Sequence, residues 1–282
     1  MRWGGLLVGT VLSACAASQP TTTVTAVRPT PEEYRAGVER SVRLGREIAA
    51  QDAASALASD VFQARVPAAA RTGTRGWVAL PRPDGWTVAF VSGEGESERV
   101  SCELDVPRQD RPDASQVTLR RMDPPRALAP DEAVRRRALQ TVARSSPRGC
   151  GRPMNPVVLP ASDAGQEGWF VYLLNSTSDP KELVVGGHLR FHVSQDGLRI
   201  DETLELSKCQ IQPRAPGEQT GGLVLGTPFF QYPNEGHVFT AISQKLPLFL
   251  GTKLGPGRSE LWQVTPSGEV QDRGEVRAPG SG

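Results

Sequence analysis

Apolar residues recur at Tyr34, Val38 and Val42, four apart, and Ile48, Leu57 and Val61 continue the same side. That spacing is one face of an α-helix. Arg35, Glu39, Arg43 and Glu47 alternate in sign on the opposite face, where neighbours four apart attract one another. Thr30-Pro31-Glu32-Glu33 supplies a helix start: Thr30 as cap, Pro31 at the first helical position and Glu33 to close a capping box. Gly45 weakens the middle and Pro67 ends the pattern, so a long amphipathic helix is predicted over residues 31 to about 64. It must dock on something apolar.

Strand-like runs follow at 77–80 and 86–91, joined by a Pro-Arg-Pro-Asp-Gly segment that reads as a hairpin turn. Residues 99–104 and 116–119 are further strands. Pro130-Asp131-Glu132 opens a second helix running to Ser145, with Val134, Ala138, Leu139 and Val142 on its apolar side and Pro147 beyond it. After Cys150 the helical signal stops. Strands are predicted at 157–159, 169–174, 183–194, 198–207, 223–225, 237–243, 248–251 and 261–264, with Asp196-Gly197 as a hairpin turn. The fold class is therefore α+β: an N-terminal amphipathic helix with antiparallel strands, then a mostly antiparallel β C-terminal domain. The expected division is 1–14 signal peptide, 15–29 lipidated cysteine and tether, 30–149 α+β domain, 150–276 mostly β domain and 277–282 disordered tail.

Composition narrows the function classes. Of 282 residues 38% are hydrophobic and 22% charged, with a net charge of +1, which excludes wholesale disorder and an obvious nucleic-acid binder. The 29 Gly and 24 Pro fit many turns between short strands. The near-zero net charge hides an asymmetry. Residues 1–150 carry 21 Arg, no Lys and 17 acids (+4), whereas 151–282 carry 11 basic residues and 14 acids (−3).

The first fifteen residues change the picture most. Arg2 precedes a short apolar run at 4–11, too short for the roughly 20 residues a bilayer span requires but suited to a secretory signal. Leu12-Ser13-Ala14-Cys15 resembles the lipobox of bacterial lipoprotein precursors. The resemblance implies diacylglycerol on the Cys15 sulfur, cleavage before Cys15, and acylation of the new amino terminus, for instance by palmitate. An ordinary signal peptide cleaved near Ala14, with Cys15 incidental, is the alternative. Ala16 stands where an aspartate would resemble an inner-membrane retention signal, which implies an outer membrane lipoprotein facing the periplasm. Residues 16–29 are polar and threonine-rich, a tether in composition.

Three cysteines remain in a compartment that favours disulfides, and three pairings are open. Cys102 alternates with Val100 and Leu104 as a core position. Cys150 and Cys209 sit at element edges and are the favoured pair. A nucleophilic role for Cys150 lacks any activating pattern around it.

Candidate chemistry centres on the histidines. His188 and His192 share one strand face with Arg190, and Glu235 shares a face of its own expected strand with His237. If those strands are neighbours, His188, His192, Glu235 and His237 converge as imidazole-plus-carboxylate ligands for zinc or a similar divalent metal. Against this, no family spacing supports it, and His188 and His192 stand roughly 13 Å apart along a straight strand. Individually satisfied histidines on a polar sheet face are the alternative. No GxSxG, SxxK or GxxxxGK[ST] motif is present. Arg135, Arg136 and Arg137 fan around their helix as a solvated face. Trp77, Trp86, Trp169 and Trp262 fall in strands, with sheet packing as their default role and an aromatic platform for carbohydrate or peptide as the alternative.

Segments Met154 to Pro160, Val171 to Leu174, Gly186 to Ser194 with Asp196-Gly197, Ser207 to Cys209, Glu235 to Phe239 and Pro247 to Thr252 together resemble a widespread group of uncharacterised bacterial envelope proteins. The resemblance implies that residues 150–265 fold as one domain, and it carries no catalytic residue. The leading expectation is a non-enzymatic, lipid-anchored periplasmic binding or assembly factor. Its partners would be the membrane, through the lipid, and an envelope protein or glycan; no nucleic acid is expected. The alternatives are a metal-dependent hydrolase of envelope material using His188 or His192 with Glu235 and His237, and a structural β module.

Overall fold

A computed structural model describes residues 30–109, 112–150, 153–175, 179, 181–214, 221–227, 230–255 and 258–277. The expected signal peptide, Cys15, the tether and the tail after Arg277 lie outside the described residues. The architecture is α+β, with one long N-terminal helix followed by mostly antiparallel sheets.

Helix α1 (Pro31–Arg65) begins with the expected capping box: Glu33 N–H donates to Thr30 Oγ1 (3.2 Å) and Thr30 N–H donates to Glu33 Oε2 (2.8 Å). A single turn, α2 (Ala68–Arg71), leads into an antiparallel meander of β1 (Thr74–Arg82), β2 (Gly85–Ser92), β3 (Arg99–Pro107) and β4 (Thr118–Ala127). The C-terminal half of α1 covers this sheet. Ala54, Ala58, Val61 and Phe62 meet Val88, Phe90, Cys102 and Leu104, and the Phe62 and Phe90 rings stack 4.0 Å apart.

Helix α3 (Pro130–Arg144) precedes a second antiparallel sheet, ordered β5-β6-β8-β9, of β5 (Met154–Pro160), β6 (Trp169–Asn175), β8 (Leu189–Val193) and β9 (Ile200–Glu205). Both faces are buried. Val157, Leu159, Phe170, Tyr172 and Leu174 meet Leu44, Ile48 and Ala49 of α1, while Val158, Val171, Phe191 and Val193 meet Ala138 and Val142 of α3. This explains the near-continuous apolar runs of β5 and β6. The run at 183–194 is not one strand. Gly186 and Gly187 both take positive φ (+78° and +68°) and break it into β7 (Glu182–Val185) and β8, and β7 pairs instead with β10 (Gln210–Pro213).

The third sheet contains β11 (Leu223–Thr227), β12 (Leu248–Gly255), β13 (Arg258–Val264) and β14 (Val270–Arg277). β11 and β12 run parallel, so the chain between them must cross over, and it does so as helix α4 (Glu235–Gln244). The expected strand at 237–243 is thus a helix. Every residue from Glu235 to Ala241 is buried, so no polar face marks a helical period, and Val, Phe, Thr and Ile supply a strand-like composition. β10 and β14 were not anticipated.

One further expectation is corrected. Arg135, Arg136 and Arg137 do fan around α3, but they form no solvated face. Arg135 is buried, donates to Val158 O (2.8 Å) and lies over the Trp169 ring. Arg136 pairs with Glu98 (2.8 Å), and Arg137 donates to Asp196 O (3.0 Å) in the β8–β9 turn. Side chains from the two sides of the expected division at 149/150 pack against one another. The first half of α1 and the apolar face of α3 are completed by strands from beyond it.

Gly45, unfavourable by propensity, is a point of close approach between α4 and α1. A Cβ there would lie 2.5 Å from Val238 Cβ and 2.9 Å from the Glu235 carbonyl oxygen. Gly45→Ala adds about 1 kcal/mol of helix propensity but wedges apart two packed backbones. A net loss of at least about 1 kcal/mol in urea unfolding is expected. Unchanged stability would mean that α4 can move off α1 at little cost.

Candidate functional site

α4 is held by buried polar groups. Asn234 caps it: Asn234 Oδ1 accepts from Gly236 N–H (3.0 Å) and His237 N–H (3.2 Å), and His237 Nδ1 accepts from Asn234 N–H (3.1 Å). A histidine here plays the part a glutamate usually takes in a capping box. Opposite, at the end of β6, the buried Asn175 donates its backbone N–H to His188 Nδ1 (3.1 Å). That bond fixes the His188 tautomer, so Nε2–H donates to Thr240 Oγ1 (3.0 Å), whose hydroxyl donates to Gly236 O (2.8 Å). Asn175 Nδ2 also donates to the Gly187 carbonyl, and its Oδ1 accepts from Cys150 N–H (3.1 Å). Cys150 is disulfide-bonded to Cys209, the favoured pairing, with Cα atoms 5.6 Å apart. Cys102 is the free thiol in the first core, and burial pushes it up to about 11.

Of the four expected ligands, the structure brings His188 and His237 together in the α4 core and leaves the other two elsewhere. Glu235 turns toward β8, pairing with Arg190 (2.8 Å) and accepting from the Tyr172 hydroxyl (3.4 Å). His192 sits at the rim, with Nε2–H donating to Glu167 O (2.7 Å) and its ring edge-on to Phe170. Both His188 nitrogens and the Glu235 carboxylate are already engaged. Among the described residues no three His, Cys, Asp or Glu are placed to hold a metal ion. The zinc arrangement required Glu235 and His237 to share a strand face; on a helix they diverge.

His237 Nε2 is buried with no partner, as is Ser207 Oγ, and both residues line a small cavity of about 50 Å³ with Val185, Leu206, Leu225 and Phe230. That space suits a few water molecules. On the other side of Phe230 lies an open cleft of about 680 Å³, bordered by Arg40, Ser41, Phe170, Arg190, Tyr232 and Glu235. A third space, about 510 Å³, opens where α1 crosses from the first sheet to the second, and is bordered by Asp52, Ser55, Arg71, Thr74, Trp77 and Asn155. Burial pushes Asp52 up to about 6, opposed by the hydrogen bond it accepts from Asn155 Nδ2 (3.1 Å).

No family model, curated protein or solved structure matches this chain. None of the described helices is long and apolar enough to cross a membrane.

Burial pushes His188 down to about 3, with His237 adding to the shift, and burial alone pushes His237 down to about 4. An unfolded histidine titrates near 6.5. Because the folded values are depressed, the unfolded chain binds more protons below pH 6.5. Stability is then full above about 6.5 and is lost as the pH falls toward 4 and then 3. Asp52 acts in the opposite sense between about 4 and 6, but two imidazoles outweigh one carboxyl. Urea unfolding is expected to show a fall on the order of a few kcal/mol between pH 7 and 4.5. A flat profile across that window would contradict the burial of these two rings.

Proposed function

We propose that this chain is a lipid-anchored envelope protein of non-enzymatic type, held in the outer membrane facing the periplasm, that works as a binding or assembly factor. The observation that carries this reading is Leu12-Ser13-Ala14-Cys15 placed directly after a charged residue and a short apolar run. Several acyl chains, at about 0.8 kcal/mol per buried CH₂, are sufficient for a stable anchor. Two features of the folded body support the reading. The Cys150–Cys209 bridge suits an oxidising compartment. The buried histidines are neutral and engaged in holding α4, while the larger spaces are bordered by side chains suited to recognition: arginines, hydroxyls, carboxyls and aromatic rings.

Replacing Cys15 by Ala tests the anchor. The wild-type chain should sediment with membranes and enter the detergent phase, and the C15A chain should be recovered in the soluble periplasmic fraction. Tight membrane association of C15A would overturn the lipid assignment.

A further inference from the structure

We propose that the cleft between α1 and the β1–β2 hairpin is a binding site for a neutral sugar, one or two rings in size. This rests on the reading of the chain as a binding factor and names the ligand class. The position is set by the fold. Asp52 and Ser55 project from α1, Arg71 from α2, Thr74 and Trp77 from β1, and Asn155 from β5 of the second sheet. The space of about 510 Å³ is within the range of pockets that enclose small organic ligands.

Three polar atoms of this wall are buried without a hydrogen-bond partner: Ser55 Oγ, Arg71 Nε and Thr74 Oγ1. Ser55 itself is only 4% exposed. Buried polar groups are nearly always paired, so three orphans around one space call for a group that pairs them. They comprise two hydroxyls, which donate or accept, and a guanidinium nitrogen, which only donates. The Asp52 carboxyl adds an acceptor. A ligand meeting this set carries both donors and acceptors at close spacing, as the hydroxyls of a sugar ring do. The lining carries one arginine, Arg71, and two aspartates, Asp52 and Asp60, so it disfavours a phosphate, while the arginine's presence beside the orphaned hydroxyls favours an uncharged ligand over an ammonium.

Aromatic rings also line the space. Phe62 and Phe90 stack at 4.0 Å, and the half-buried Trp77 ring is tilted at 44° to Phe90, 6.4 Å from it. Phe62 and Phe90 are buried, so the half-buried Trp77 is the ring left for the axial C–H groups of a pyranose to pack on while its hydroxyls reach sideways.

The test is titration of the purified full-length chain in detergent with cellobiose, maltose and the N-acetylglucosamine disaccharide, followed by calorimetry and tryptophan fluorescence. Trialanine and inorganic phosphate serve as comparison probes. At least one disaccharide is expected to bind saturably. Ser55→Ala and Thr74→Val should each weaken it tenfold or more without lowering the melting temperature, and Trp77→Phe should abolish the fluorescence change. The proposal is overturned if no disaccharide binds, if binding is indifferent to both substitutions, or if trialanine or phosphate competes for the Ser55-dependent site. The binding-factor reading is tested separately, by in-cell crosslinking from Gln231 at the other cleft. A captured envelope protein there, with no sugar bound, would sink the sugar site and leave that reading standing.

Discussion

The burial of α1 is the constraint from which the rest of the structure follows. At 1.5 Å per residue its 35 residues run about 52 Å, and along that length one helix completes three separate apolar clusters. Tyr34, Val38 and Val42 join the β11–β14 sheet, Leu44, Ile48 and Ala49 the β5-β6-β8-β9 sheet, and Ala54 to Phe62 the β1–β4 meander. The β1–β4 and β5-β6-β8-β9 sheets each lay a face on the same rod. The β11–β14 sheet meets its first turns through Tyr34, Val38 and Val42 and is otherwise covered by α4, so the order of side chains on α1 helps set the relative positions of the three. Close approach is part of the same device. Gly37, Ser41 and Gly45, four apart and buried, leave room for Tyr232 and α4 to reach the helix backbone. Arginines of α3 then tie the parts from the other side, Arg135 to β5, Arg136 to Glu98 and Arg137 to the β8–β9 turn.

Much of this was legible where local chemistry and periodicity agreed. The capping box at Thr30 and Glu33, the Asp84-Gly85 turn and the start of α3 at Pro130 follow from residues a few positions apart, and the Cys150–Cys209 pair is the favoured one of three. What failed was the reading of segments buried on all sides. The first seven residues of α4 are all buried, so its 3.6-residue period leaves no polar trace there, and its β-branched content points to a strand. Asn234 followed by an acidic residue was the one available sign of a helix start. The pair Gly186-Gly187 was equally visible, and two consecutive positive φ angles are what a strand interior does not accommodate.

The sites were less legible than the fold, for a related reason. His188 and His237 stand out because histidine is rare in this chain, and a shared site follows from sequence only on the condition that their elements are neighbours. Sequence spacing shows which residues share a face; it does not show that Asn175 and Asn234 occupy their ring nitrogens through backbone N–H groups. The cleft along α1 left still less trace. Ser55, Arg71, Thr74 and Asn155 are common surface residue types drawn from four elements, and only folding turns their side chains toward one space. Pairs such as Asp52–Asn155, 103 residues apart, have no local signature.

The central claim is that α1 makes three sheets into one cooperative unit. Native-state hydrogen exchange across β2 and β3, β6, and β12 and β13, alongside the middle of α1, tests it most directly. The account predicts that the slowest amides of all three sheets exchange through the same global opening as residues 44–62 of α1, with one denaturant dependence. If one sheet keeps its protection while the middle of α1 exchanges freely, the sheets are independent and the helix is not their common support.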